Sequence, residues 1–284
     1  MVLKMFKIEK MKKIFLFELL FFLSVQILGI LNSQKILKNL PEELKVSKAD
    51  FSFLSFLAGF SILVLLILLV LKFKKTSKIF FGSVFILVIF FGLELFFEAW
   101  LPFFISLPLT ILLLLSWRKA PFVWLHNLLL ILALSGIGFI GLSLSPMVVL
   151  VLFLVFSFYD LMAVYLTGHM VKMAEGMLRT GAVLGILVPK EIPDFKKKMA
   201  EVKVAEGEKR FSLLGSGDII FPLIFSVSFL PFGISPSLIM IVFSCLGLGF
   251  GFWLFKELKG KPMPALPPIY LFCLLGFFIN LLIL

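Results

Sequence analysis

The sequence predicts an all-α membrane protein with nine transmembrane helices. Of its 284 residues, 61% are hydrophobic and only 15% are charged, whereas about a quarter of a soluble domain is usually charged. The apolar residues form long runs of about 20, the length that a helix needs to cross a bilayer. Short charged loops separate these runs, and the basic residues are concentrated in alternate loops.

Nine apolar runs have the length of a transmembrane helix. The first follows a basic N-terminus and has no small-residue cleavage site after it, so we interpret it as a retained span and not as a signal peptide. Only a tight turn at residues 98–102 separates the third and fourth. No internal repeat is found, and residues 1–284 are interpreted as one polytopic domain. The predicted spans are residues 14–31, 53–71, 79–97, 99–116, 122–141, 147–166, 212–230, 236–255 and 264–283.

The distribution of basic residues predicts the orientation. The N-terminus and the loops after spans two, four, six and eight hold 23 of the 27 Lys and Arg residues. The other side holds the remaining four, all in the loop after span one. Because cytoplasmic loops are enriched in Lys and Arg, we expect a cytoplasmic N-terminus, a cytoplasmic loop at 167–210 and an extracellular C-terminus in the cell membrane. Membrane topology and anionic headgroups account for the net charge of +11, and nucleic-acid binding is not expected.

Other polar and sulfur-containing residues do not predict a cofactor or a metal. Both cysteines lie within apolar runs without a CxxC pair, so neither a zinc site nor a disulfide framework is predicted. His126 and His169 have no partners at metal-ligand spacing and are interpreted as interfacial or loop residues. Gln26 and Asn280 are single polar residues within spans, and we expect them to form hydrogen bonds between helices.

Two aspartates lie inside predicted spans, Asp160 in span six and Asp218 in span seven. Ionisable residues at such positions are energetically costly and usually functional. Each lies about seven residues from the cytoplasmic end of its span, which corresponds to a depth of roughly 10 Å at the helical rise per residue. The two spans are antiparallel because a cytoplasmic loop joins them. We therefore expect the two carboxyl groups to lie at one level and to face each other.

A facing carboxyl pair in a poorly solvated site shares one proton because it cannot easily carry two charges. The ionised partner can then act as general base on a water, while the protonated partner polarises a peptide carbonyl group. This is the chemistry of aspartic proteases, and it requires no metal. The residues alone leave other interpretations open: a structural pair of acids, or a proton or ion relay in a coupled transporter. They do not assign the base and the acid.

Three short patterns occur in order along spans six, seven and nine. They are Tyr159 and Asp160; Gly215, Ser216, Gly217 and Asp218; and Pro264, Ala265, Leu266 and Pro267. Together they resemble the YD, GxGD and PALP motifs of the presenilin and signal peptide peptidase family of intramembrane aspartyl proteases. Each pattern is short enough to recur by chance, but their order on three of nine spans is specific.

The resemblance implies that Asp160 and Asp218 are the catalytic pair and that the other motif residues support the site. It also implies that no metal is used and that the substrates are transmembrane segments. Features of both branches of the family occur here, which is typical of a microbial, archaeal relative. A second GxGD family, the prepilin peptidases, is the alternative among enzymes. Its members typically have a lysine after the aspartate and lack PALP, whereas Ile219 follows Asp218 here.

Each motif also has a physical interpretation. Gly215 and Gly217 would let a substrate backbone approach Asp218, although such glycines also allow tight helix packing. Pro222 cannot donate a hydrogen bond to the carbonyl group of Asp218, so it loosens the helix there. The prolines of the PALP motif prevent a regular helix start, which suits a wet active-site wall, or they act as ordinary helix caps.

A substrate helix must unwind before it is cut, and its freed backbone groups then need partners. One hypothesis is that the substrate adds as a strand to an exposed edge. The candidate edges are residues 210–214, just before the GxGD pattern, and residues 181–188 in the long loop. The second segment could equally be an amphipathic segment that rests on the membrane surface.

Overall fold

The structure is a computed structural model that describes residues 2–39, 74–168, 176–178, 181–202, 211–258 and 263–284. The predicted second span, residues 53–71, lies outside these residues. The other eight predicted spans each overlap a helix of the described residues. These helices are α1 (Val2–Asn39), α2 (Lys74–Glu98), α3 (Phe103–Lys119), α4 (Val123–Ile137), α5 (Pro146–Leu161), α6 (Ser216–Ser228), α7 (Ile234–Glu257) and α8 (Leu266–Ile283).

Five helical segments of the described residues are long and apolar enough to cross a membrane: α1, α4 with the 3₁₀ segment Gly138–Ser143 that follows it, α5 with the helical residues Met162–Leu166 that follow it, α7 and α8. Helix α3 has 17 residues and α6 has only 13. The fold is therefore mostly helical with several candidate membrane spans, as the composition predicts.

The expectation of a purely α-helical fold is wrong at one place. Strand β1 (Gly185–Pro189) pairs with strand β2 (Phe211–Gly215) in an antiparallel sheet, with Leu187 opposite Leu213. Predicted span seven therefore begins too early, since the chain is extended up to Gly215 and helical only from Ser216. A short apolar run is compatible with either state, and here the pairing with β1 makes it a strand.

Helix α6 lies at the centre of the described bundle, in contact with α1, α5, α7 and α8. Its Leu223 packs so closely against Gly29 of α1 and Gly138 of the 3₁₀ segment that a Cβ atom at either glycine would overlap it. Close approach of this kind is typical of helix packing in membranes. The helix that carries Asp218 is thus held on several sides.

Two predicted hydrogen bonds between helices are confirmed. Nε2 of Gln26 in α1 donates a hydrogen bond to the carbonyl oxygen of Ile219 in α6, at a distance of 3.0 Å. Asn280 of α8 donates from Nδ2 to the carbonyl oxygen of Pro236 in α7 over 3.1 Å. Both side chains are fully buried. Each bond satisfies a polar group that would otherwise face only apolar surroundings.

The described part of the long loop packs into a small hydrophobic cluster around β1 and the start of α4. Backbone hydrogen bonds join the loop to that helix, from the Val123 amide to the Lys197 carbonyl and from the Met199 amide to the Pro121 carbonyl. Every residue of β1 is buried. The alternative of a surface-resting amphipathic segment is therefore wrong for β1. The cluster consists of Val123, Met177, Val183, Leu187, Met199 and Val202.

Candidate active site

The two aspartates lie at the ends of neighbouring helices. Asp160 is the penultimate residue of α5, and Asp218 is the third residue of α6. Their exposed fractions are 2% and 7%. The carboxyl group of Asp160 acts electrostatically on that of Asp218, so the structure brings the two acids together.

The position of Asp218 corrects the depth estimate made from the sequence. Asp218 is not seven helical residues into its span, because β2 occupies residues 211–215. An extended residue advances about 3.3 Å, roughly twice the helical rise. The strand therefore carries the chain further along its axis than a helix of equal length. The two carboxyl groups still lie close enough to interact electrostatically, although counting helical residues was the wrong measure of depth for span seven.

The PALP motif contacts Asp160 through its backbone. The Leu266 amide donates to Oδ2 of Asp160 over 3.2 Å, and the Ala265 backbone also interacts with this carboxyl group. Prolines have no N–H group, so the only backbone N–H groups of this motif are those of Ala265 and Leu266. Both interact with the Asp160 carboxyl group. The other oxygen, Oδ1, is buried and has no hydrogen-bond partner among the described residues.

The two glycines of the GxGD motif differ in their surroundings. A Cβ atom on Gly215 would lie 2.9 Å from Oδ2 of Asp218, and the Gly215 backbone interacts with the same carboxyl group. A Cβ atom on Gly217 would meet no described atom within 4 Å. Gly215 therefore makes room for the Asp218 carboxyl group, whereas Gly217 borders open space. Between them, Ser216 donates its amide to the Leu184 carbonyl oxygen at a distance of 3.2 Å, which joins the start of α6 to the residue before β1.

The family model of the signal-peptide peptidase, presenilin aspartyl protease family matches residues 19–284. The chain belongs to this family. It is an intramembrane aspartyl protease and a multi-pass membrane protein, and its family implies transmembrane substrates within a lipid bilayer. The transporter and prepilin-peptidase interpretations are not supported.

Two solved structures are similar to this protease. Both are of a presenilin family intramembrane aspartate protease. The first, in the C222 space group, has a TM-score of 0.63 and 23% identity, over 95% of this chain and 99% of that one. The second, in the P2 space group, has a TM-score of 0.55 and 25% identity, over 94% of this chain and 96% of that one. No curated protein matches the chain at a significant level.

The remaining predicted site residues of the protease lie around the aspartates. Tyr159 is half-buried, and its hydroxyl group interacts electrostatically with Asp160. Pro264 is buried directly before the amides of the PALP motif, and Pro267 lies in the first turn of α8. Prolines in this turn are also the ordinary cap that was considered as the alternative. The motif thus starts the helix and presents its two amides to Asp160.

Sequence reasoning missed several features of the protease site. After Asp160, the chain forms a π-helix over Met162–Leu166, a rare conformation that is frequent at functional sites. The hydrogen bond predicted for Gln26 has an acceptor that the sequence does not indicate, the carbonyl oxygen of the residue next to Asp218. Ser212 of β2 donates its hydroxyl group to Glu18 of α1. No motif predicts these two hydrogen-bond partners, because each bond joins segments that are distant in sequence.

His126 is a helical residue and not a loop residue. It lies in the first turns of α4, and its side chain is fully buried in the protein. Its ring stacks on Phe85 with centroids 5.2 Å apart. His169 lies outside the described residues. Within the described part of the protease, no three His, Cys, Asp or Glu side chains are grouped so that they could hold a metal ion.

Proposed function

We propose that Asp160 and Asp218 are the catalytic pair of this protease and that they activate a water to hydrolyse peptide bonds of transmembrane segments. The main support is that the two carboxyl groups are both buried and interact electrostatically, in a site to which the YD, GxGD and PALP motifs contribute. The unpartnered Oδ1 of Asp160 is an acceptor available to a water or to a shared proton. Buried polar atoms normally have a partner, so this oxygen is suited to a ligand of the reaction.

The pair carries one proton in this mechanism. The ionised carboxylate takes a proton from water as the water oxygen attacks the peptide carbonyl carbon, and the protonated carboxyl group donates to the carbonyl oxygen. Collapse of the tetrahedral intermediate breaks the C–N bond: the leaving nitrogen takes up the proton that the base had accepted from water, and the other carboxylate, now ionised, takes a proton from a hydroxyl group of the intermediate. This re-forms the carbonyl group of the product and restores the single proton of the pair. The backbone amides around Asp160 hold it in place throughout, and their N–H groups are too weakly acidic to transfer a proton to the substrate.

We propose that the substrate adds as a strand to β2. In an antiparallel pair, the backbone groups of alternate residues point away from the partner strand. Both backbone groups of Leu187 bind Asn127 instead of β2, so the opposite residue Leu213 also directs its N–H and C=O away from β1. Leu213 is 37% exposed. The open edge of β2 runs directly into Gly215 and Asp218, which supports residues 210–214 over 181–188 as the docking edge.

A proline at position 213 tests the docking edge. Leu213→Pro removes the outward N–H but keeps the ladder bonds of Ser212 and Leu214, and the restriction that proline places on Ser212 favours an extended conformation. We expect cleavage to fall at least about tenfold, since a donor to the substrate is lost. Leu213→Ala removes the side chain and keeps the N–H, so it should retain activity. Normal cleavage by Leu213→Pro would contradict the docking edge.

The topology belongs to the same proposal. We propose nine spans in the cell membrane, a single polytopic domain over residues 1–284, a cytoplasmic N-terminus and loop 167–210, and an extracellular C-terminus. The support is the positive-inside distribution of 23 of the 27 basic residues. Labelling of single cysteines at each end of the chain by a membrane-impermeant reagent in intact cells tests the orientation.

Substitution of each aspartate tests the catalytic pair. Purified protease in liposomes would be incubated with a model transmembrane peptide, and the products would be measured by mass spectrometry. We expect Asp160→Asn and Asp218→Asn each to lower cleavage by at least about 100-fold, as for loss of a general acid or base. The matched control is Asp194→Asn, because Asp194 is also buried but is paired with Lys197 outside the site. Wild-type cleavage in either of the first two variants would overturn the proposal.

A further inference from the structure

Asn127 of α4 binds β1 as a neighbouring strand would. Its Nδ2 donates to the Leu187 carbonyl oxygen over 2.7 Å, and the Leu187 amide donates to its Oδ1 over 2.9 Å. A residue on an adjacent strand makes this pair of bonds with its backbone amide and carbonyl groups. The Asn127 side chain is 2% exposed, so water does not compete for either bond.

His126 binds the next outward group of the same edge. Its Nε2 lies 3.3 Å from the Gly185 carbonyl oxygen. A carbonyl oxygen only accepts, so Nε2 carries the hydrogen atom. Stacking on Phe85 fixes the ring. The Gly185 carbonyl and both backbone groups of Leu187 are therefore satisfied by two consecutive residues of α4, and this edge of the sheet is closed.

An isolated two-stranded sheet is at best marginally stable in water, and it needs a third strand or a packed helix. Here α4 supplies that support through side chains that replace a third strand. Because β2 pairs with β1 over five residues, anchoring β1 also restrains β2, and the outer edge of β2 is where the substrate is proposed to dock. Without it, β2 would be free to receive substrate in more than one register, since pairing is weakly specified in mobile strands.

We infer that Asn127 is a positioning residue that anchors β1 to α4 and thereby holds β2 in the single conformation that receives the substrate strand. Asn127 acts through β1 and touches neither the aspartates nor the substrate. The inference rests on the proposed docking of substrate at β2. It predicts that Asn127 controls which peptide bond is cut and how tightly the substrate binds.

The test compares Asn127→Leu with Asn280→Leu. Both substitutions replace a buried asparagine that binds a backbone carbonyl group with an apolar side chain of similar size, but Asn280 joins α7 to α8 away from the sheet. We expect Asn127→Leu to raise KM by roughly 3- to 10-fold and to add products cut at neighbouring bonds. Asn280→Leu should lower the melting temperature and leave KM and the cleavage position unchanged. Wild-type KM and products in a folded Asn127→Leu variant, or equal changes in both variants, would overturn the inference.

A milder variant and a measurement on the unaltered protein complete the test. Asn127→Asp keeps the acceptor for the Leu187 amide, and when ionised it has no donor for the Leu187 carbonyl group. At a pH where it is ionised, its products should therefore fall between those of the wild type and Asn127→Leu. In the wild-type protein, the Leu187 amide should exchange hydrogen slowly, and the outward Leu213 amide should exchange quickly. Equal exchange rates at the two amides would show that β1 is not anchored.

The results for these variants distinguish a failure of the Asn127 inference from a failure of the proposed catalytic pair or of the proposed docking at β2. Retained cleavage in Asp160→Asn or Asp218→Asn contradicts the catalytic pair, and normal cleavage by Leu213→Pro contradicts docking at β2. If those variants behave as expected while Asn127→Leu keeps the wild-type KM and products, only the role of Asn127 fails.

Discussion

An added methyl group at Gly215 should damage catalysis far more than one at Gly217. The Cβ atom of Gly215→Ala would lie 2.9 Å from Oδ2 of Asp218, whereas ordinary contact begins at 3.4 Å. The Asp218 carboxyl group must therefore move by about 0.5 Å, and a misplacement of about 1 Å at a reacting group can cost about 100-fold in rate. The backbone at Gly215 has φ −61° and ψ 143°, which alanine adopts without strain. The predicted effect thus comes from the displaced carboxyl group alone.

We expect Gly215→Ala to lower kcat by about 10- to 100-fold, which corresponds to about 1.4–2.7 kcal/mol of transition-state stabilisation. Gly217→Ala is the matched control, because its methyl group would enter open space. It should keep kcat within about threefold and can raise KM if the substrate backbone passes there. The assay is steady-state cleavage of a transmembrane peptide in liposomes, with melting temperatures measured for both variants. A kcat for Gly215→Ala within about threefold of wild type would refute the reasoning.

Two further predictions concern the support and the protonation of the pair. Gln26→Leu removes the hydrogen bond to the Ile219 carbonyl group beside Asp218. We expect this variant to lose about 0.6 kcal/mol of stability and its kcat to fall several-fold. The control Asn280→Leu should lose similar stability and keep the wild-type kcat. Activity should pass through a maximum with pH, because two macroscopic pKa values belong to the coupled pair; a flat profile measured over a broad pH range would contradict a shared proton.

The sequence alone singles out Asp160 and Asp218 as candidate site residues, because an ionisable side chain within a membrane span is rare and energetically costly. An aspartate in an apolar run has few functions that outweigh its cost, and its depth can be estimated by counting residues. The same reasoning fails for residues 211–215. A short apolar segment next to a span has no periodicity that distinguishes strand from helix, and only its pairing with Gly185–Pro189 makes it extended.

The role of Asn127 could not be predicted for a different reason. A polar side chain within a span indicates that a hydrogen bond exists but does not name the partner. For Gln26, Asn127 and Asn280 the partner is a backbone group, which every residue possesses. Asn127 and Leu187 are 60 residues apart in sequence, and no side-chain chemistry at position 187 marks it as the partner. The same limit applies to His126, because the sequence does not indicate that its ring is buried against Phe85.

Among the residues that the structure describes, backbone amides and no charged side chains hold the proposed catalytic pair. Asp160 is bound by the Leu266 amide, and Asp218 folds back onto the backbone of Gly215. An amide is a fixed, neutral donor, so it orients a carboxyl group without adding a charge to the site. A Lys or Arg in the same position would favour two ionised carboxylates, and the proton that the mechanism shares between them would be lost. Glycine and proline determine the path of the backbone and therefore the position of these amides. This explains why the motifs around the aspartates consist mainly of residues without reactive side chains.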